Sequence, residues 1–281
     1  MQQSLQARQR MGEYLRWNYY RTEGFLHRLD AFIMREIIAA QVQHEIHGSL
    51  AEIGVHYGRS FFLLAAGRSE GEKSLAIDLF EDDDLHKHPQ GISRSVGFTV
   101  NSLKYGVNFS PEEILKGSSL EVGPDEITKR VGPVRLFSVD GGHMYRHVAN
   151  DLFLAENVLV AGGVICVDDA FTPIWPEVAM ATFDWLRSVQ GRFIAFLSTP
   201  DKLYICRPEY VQFYDHVISQ DTWLNSRIYR TVSLLEHPVL VLSSSPAFKV
   251  AEHLITKMFS LGARASLRTR RIRYRLAPTS S

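Results

Sequence analysis

Two apolar runs some two thirds of the way along the chain, residues 193–197 and 202–206, are separated only by Ser198-Thr199-Pro200-Asp201. A gap that short holds no crossover helix, so the two runs must pair antiparallel. Upstream the order is different. Short apolar runs at 50–54, 74–79, 113–116, 134–139 and 164–167 alternate with helical patterns at 59–66, 96–105 and 145–159, and another follows near 177–189. Such alternation predicts a parallel sheet with helices on both faces. A doubly wound α/β sheet finished by an antiparallel hairpin is therefore expected, and it differs from the all-parallel dinucleotide-binding sheet.

Around this body the sequence predicts two flanking regions. In residues 1–48, Tyr14, Leu15, Trp17, Phe25, Leu26, Leu29, Phe32, Ile33, Ile37 and Ile38 recur at helical intervals. This segment reads as a helical preface, and its aromatic residues suit core packing, a lid over a substrate or a subunit contact in a homo-oligomer. Residues 49–210 form the α/β domain. Residues 211–281 form an extension containing a helix, apolar runs near 232–235 and 239–242 with Pro238 between them, another helix and a basic tail. From Lys257 onward the chain has basic residues and no acid, although the whole chain balances 31 basic against 31 acidic residues. The main domain is thus net acidic, which argues against a nucleic-acid partner.

With 45% hydrophobic and 22% charged residues, a core of globular type can be buried. No apolar run reaches the ~20 residues that span a bilayer, and the first ten residues lack a secretory signal's apolar stretch, so the expected location is the cytoplasm. Cys166 and Cys206 each sit inside an apolar run and read as reduced core thiols.

The first strand ends Glu52-Ile53-Gly54-Val55-His56-Tyr57-Gly58-Arg59-Ser60. Glycines here allow a sharp turn and let a ligand approach the backbone at the next helix's N-terminus. The pyrophosphate fingerprint G-x-G-x-x-G is not met, because its second and third glycines are replaced by His56 and Arg59. Asp78 ends the second strand, where a carboxylate accepts the hydroxyls of an adenosine ribose.

Further along, Asp140-Gly141-Gly142-His143 follows one strand and Asp168-Asp169 the next. Both sets fall at strand carboxyl ends, the edge where open α/β sheets bind ligands. Converging carboxylates call for a cation or hydrogen-bond donors, and an all-oxygen set suits Mg²⁺ before Zn²⁺. Capping of the following helices is the other use of such aspartates.

Taken in order, Glu52-Ile53-Gly54-x-x-x-Gly58, Asp78, Gly117-Ser118-Ser119, Asp140-Gly141-x-His143 and Gly162-Gly163-Val164-Ile165-x-Val167-Asp168-Asp169 resemble the motifs of a class I S-adenosylmethionine-dependent methyltransferase. The resemblance is nearest to the metal-dependent sugar and natural-product O-methyltransferases of the macrocin type, and spans about residues 49–210. It implies a Rossmann-like, doubly wound sheet of seven strands. It also implies that Glu52, Gly54, His56, Tyr57, Gly58 and Ser60 hold the methionine part of the cofactor, Asp78 the ribose and Ser118 or Ser119 the adenine. Asp140 lies beside the cofactor, and Asp140, Asp168 and Asp169 become ligands of Mg²⁺ or another divalent cation. Two departures stand out. Gly142 replaces the acidic residue proposed as base in those relatives, leaving His143 as the nearest titratable group, and Ser118 replaces a frequent aspartate.

The expected reaction is O-methylation of a small-molecule hydroxyl on a sugar, glycoside or phenol. A metal would lower the pKa of the hydroxyl and His143 would remove its proton. Trp175, in the loop after Asp169, offers a flat face to such an acceptor. An NAD-dependent oxidoreductase and a non-catalytic partner protein that keeps the methyltransferase fold are the competing readings.

Overall fold

The computed structural model describes residues 2–80 and 93–244. The acidic run at 81–84, the helix expected after residue 244 and the basic tail lie outside the described residues. The chain opens with two helices, α1 (Gln2–Trp17) and α2 (Arg28–Gln43). The α/β body follows as β1 (Ser49–Ile53), α3 (Arg59–Ala66), β2 (Ser74–Asp78), α4 (Arg94–Tyr105), β3 (Ile114–Lys116), α5 (Pro124–Val131), β4 (Val134–Val139), α6 (Tyr145–Val158), β5 (Leu159–Asp168), α7 (Pro176–Ser188), β6 (Ile194–Ser198) and β7 (Lys202–Cys206). It closes with α8 (Val211–Gln220), α9 (Thr222–Asn225), β8 (Ile228–Leu234) and β9 (His237–Leu242).

The sheet order is β3-β2-β1-β4-β5-β7-β6-β9-β8. Strands β1 to β5 run parallel, and β7 returns antiparallel between β5 and β6, as the short Ser-Thr-Pro-Asp connection requires. The expected count of seven strands is corrected to nine among the described residues. The two apolar runs flanking Pro238 form a hairpin, and β9 joins β6 in parallel register at Leu197–Leu240. Leu235 and Glu236 make its tight turn with positive φ at both positions, the backbone twist that two-residue hairpins favour.

Side chains alternate across the sheet with the period of two that strands impose. Leu50, Ala76, Leu136, Val164, Cys166 and Tyr204 pack on one side with α1, α2 and α3. Ala51, Ile77, Phe137, Ile165, Val167 and Leu203 pack on the other with α5, α6 and α7. Both cysteines are buried and free. Met11, Ile33, Ile37 and Ile38 are fully buried, so the helical preface shares the core of the sheet. No helix among the described residues is long and apolar enough to cross a membrane.

Neighbouring β1 and β4 connect onward in opposite directions, to β2 on one side and β5 on the other. That reversal opens a crevice at their carboxyl ends, where doubly wound sheets bind ligands.

Candidate active site

The crevice is a cavity of about 800 Å³ lined by residues from five strand ends and by the loop before α2. Its floor is the turn after β1. Gly54 has φ +85°, and a Cβ placed there would lie 1.7 Å from the Asp140 carbonyl oxygen. Only glycine lets the β1 turn and the loop after β4 approach so closely. The amide of Asp140 donates to the Ile53 carbonyl at 3.0 Å and locks the two loops together.

Asp78 organises one side of the cavity. One carboxylate oxygen accepts from the His56 amide at 2.9 Å and the other from the Phe80 amide at 2.7 Å, so one side chain fixes the loops after β1 and β2. His56 has φ +52°, a left-handed conformation that costs a non-glycine residue of order 1 kcal/mol. On the next rim Ser118 and Ser119 line the cavity, and the Ser119 carbonyl accepts from Asn150 of α6 at 2.8 Å.

Gly54, His56, Ser60, Asp78, Ser118, Ser119 and Asp140 therefore line the cavity as the sequence suggests. Glu52, Tyr57 and Gly58 do not line it. Glu52 is buried beneath the turn beside the hydroxyls of Ser60 and Ser138, without a hydrogen bond of good geometry to either carboxylate oxygen. Burial pushes its pKa up to about 7. Tyr57 packs its ring against Gly97 of α4, and its carbonyl accepts from Asn101. Gly58 starts α3 with φ +94° where any Cβ would strike the Phe62 ring.

On the opposite side of the cavity His143 Nε2 lies 3.1 Å from Asp169 Oδ2. The imidazole stacks on the Trp175 indole with centroids 4.3 Å apart and planes 17° from parallel. Asp169 is held on every side. Its Oδ1 accepts from Thr172 Oγ1 at 2.6 Å, its amide donates to the Asp201 carbonyl, and its φ is +57°. The hydrogen bond from His143, ahead of the other contacts, lowers its pKa.

Two of the three expected metal ligands, Asp140 and Asp169, come together with His143. Asp140, His143 and Asp169 each offer an atom within 4.8 Å of the others, whereas Asp168 is not in that group. Asp168 touches the Asp140 carboxyl, and its Oδ1 accepts from Lys202 Nζ at 2.9 Å. Lys202 opens β7 opposite Asp168 in register and is 1% exposed. Burial works against its charge, but the fields of Asp168, Asp140 and Asp30 outweigh burial and raise its pKa. Asp140 is raised well above the carboxylate range, first by burial and then by the Asp168 charge. Asp30 comes from α2, and its Oδ1 accepts from Thr199 Oγ1 and the Tyr204 hydroxyl at 2.9 and 2.8 Å.

Sequence reasoning missed Lys202 and Asp30, along with the cavity-lining Phe25, His27, Arg94 and Asp201. A signal existed for the first two. Each is a charged residue set in an apolar pattern, Asp30 between Leu29 and Ala31 and Lys202 at the head of Leu-Tyr-Ile-Cys.

Residues 51–170 match the family model described as a methyltransferase domain. The matched stretch runs from β1 into the loop after β5 and so contains the carboxyl ends of the five parallel strands and most of the cavity lining. No curated protein matches the chain. Among solved structures it is similar to CalS11, a TDP-rhamnose 3'-O-methyltransferase of calicheamicin biosynthesis, at 16% identity and a TM-score of 0.47, covering 73% of this chain and 94% of that one. It is also similar to the O-methyltransferase NovP at 16% identity and 0.46, covering 64% and 79%. A Bacillus cereus O-methyltransferase in complex with SAH gives 16% and 0.46, covering 71% and 89%. Likeness at this level describes shape and transfers no activity.

Proposed function

We propose that the protein transfers the methyl group of S-adenosylmethionine to a hydroxyl of a small molecule, a sugar, glycoside or phenol. The observation that carries this reading is the sharing of one cavity by the β1 turn, Asp78 and the His143–Asp169 pair. At about 800 Å³ the cavity is in the upper part of the ~300–1,000 Å³ range of ligand sites, with room for a nucleoside donor and a small acceptor. The exposed faces of Phe25 and Trp175 give the acceptor side apolar plates, and His27 and Asp201 supply polar groups.

In the transfer the acceptor oxygen forms a bond to the methyl carbon as the carbon–sulfur bond breaks, and the sulfonium leaves as a neutral thioether. The acceptor's proton goes to His143. With Nε2–H donating to Asp169, Nδ1 carries the free lone pair, and stacking on Trp175 fixes the ring's plane. Holding the reacting atoms about 3–3.5 Å apart in a closed site supplies much of the rate.

The Mg²⁺ expected from the aspartates fits this site poorly. Asp168 is engaged by the Lys202 ammonium, and His143 and Asp169 are bonded to each other. No step of the proposed mechanism passes through a metal. A cytoplasmic location goes with the reading and is supported by two buried free thiols, which suit a reducing compartment.

Incubation with methyl-labelled S-adenosylmethionine and a panel of glycosides and phenols tests the proposal through label in the acceptor. Stabilisation by NAD, with no response to S-adenosylhomocysteine in a thermal shift, would instead favour an oxidoreductase. Tight S-adenosylhomocysteine binding without transfer to any acceptor would favour the non-catalytic partner protein.

A further inference from the structure

We infer that Lys202 is the resident cation of this active site, a positioning residue whose ammonium occupies the carboxylate cluster in place of a divalent metal. The inference rests on the methyltransferase reading and concerns how that site balances its charge.

Glu52, Asp168 and Lys202 lie at the same edge of the sheet, and the alternation of β1, β5 and β7 turns all three toward the face covered by α2. Asp30 descends onto this face from α2 and is fully buried. Carboxylates thus arrive from β1, β5, α2 and the loop after β4. Among the described residues the cation ion-paired to Asp168 is Lys202, at 2.9 Å. A buried carboxylate requires such a partner. A lysine on an apolar strand, at the position in register with Asp168, supplies it without any ion from solution.

Two consequences follow. Asp168 is held between the Lys202 ammonium and the Asp140 carboxyl, so the cation already stands beside both acids. Asp169 is left free to orient His143. Lys202 does not touch the reacting atoms; it acts through Asp168 and the charge beside Asp140.

The test is Mn²⁺ binding, followed by the electron paramagnetic resonance signal of the free ion, on the full chain saturated with S-adenosylhomocysteine. The wild type is expected to take up no stoichiometric Mn²⁺. Lys202→Met is expected to gain at least about tenfold in Mn²⁺ affinity, because no ammonium then opposes a dication beside Asp168 and Asp140. Adding Asp168→Asn to that variant is expected to remove the gain. One Mn²⁺ bound per wild-type chain overturns the inference, as does a folded Lys202→Met protein with unchanged affinity. Should Lys202→Met fail to fold, the wild-type titration and Lys202→Arg decide: both must remain without Mn²⁺. Calorimetry with S-adenosylhomocysteine on the same wild-type sample separates the two proposals. Failure to bind that ligand counts against the methyltransferase reading, and the Mn²⁺ comparison is then made on the unliganded chain.

Discussion

His143 and Asp169 are joined by a 3.1 Å hydrogen bond although 26 residues separate them, because β4 and β5 are adjacent and parallel and end at the same edge. The pair is braced further by Trp175 and Thr172. If His143 takes the acceptor's proton, His143→Ala lowers kcat by about 10²–10⁴-fold and leaves S-adenosylhomocysteine affinity unchanged. Asp169→Asn gives a smaller loss in kcat. Trp175→Ala is expected to raise KM for the acceptor more than it lowers kcat, since the ring also faces the cavity. Steady-state kinetics with both substrates varied check all three.

Asp78 serves two loops at once, so its loss should act on the cofactor before it acts on stability. Asp78→Ala forfeits two charge-assisted hydrogen bonds of about 1.5–3 kcal/mol each and, on the proposed reading, the ribose acceptor. The expected result is at least a hundredfold weaker S-adenosylhomocysteine binding in calorimetry, with a folded far-UV spectrum.

Gly54 marks the closest approach of the β1 turn to Asp140. Gly54→Ala must open the contact between these loops and force alanine into a positive-φ conformation. Loss of cofactor binding and a destabilisation of about 2 kcal/mol or more are expected in urea unfolding. Gly71→Ala is the control for backbone strain alone, since it also has positive φ but no atom within 4 Å of its Cβ position.

The strand pattern, the β6–β7 hairpin and the cavity positions of Gly54, Asp78 and Asp140 could be read directly from the sequence, because each follows from local periodicity or turn chemistry. Other features depend on tertiary neighbours. Gly162 and Gly163 look like a turn, yet they lie inside β5. A Cβ on Gly162 would strike Ile46 and Tyr210, and one on Gly163 would strike Leu159, so close packing accounts for these glycines. The helical preface divides at residues 18–27, where Tyr19 turns inward and its hydroxyl donates to the Leu26 carbonyl. The sequence places Asp168 near Asp140, and the two carboxyls do meet, but the lysine that pairs with Asp168 is set by the register of a strand 34 residues away.

Glu52 makes stability depend on pH. Its carboxyl has a pKa of about 7 when folded against 4.5 in an ordinary environment, so the unfolded chain binds fewer protons between those values. The contribution is fully present below about pH 4.5 and is lost as pH rises through about 7, a change of roughly 3 kcal/mol at most. Asp30 and Asp151, both raised to about 6 by burial, act in the same direction. Glu52→Gln is expected to flatten the fall in stability between pH 5 and pH 8, measured by urea unfolding without cofactor. A wild-type and variant that lose stability in parallel over that range would show that Glu52 is already ionised in the fold.

The most direct measurement for the central claim is calorimetric titration of the full chain with S-adenosylhomocysteine and, separately, with NAD. We predict one S-adenosylhomocysteine bound per chain, binding weakened by Asp78→Ala, and no heat from NAD. A folded chain that ignores S-adenosylhomocysteine, or binds it equally well after Asp78→Ala, contradicts the account.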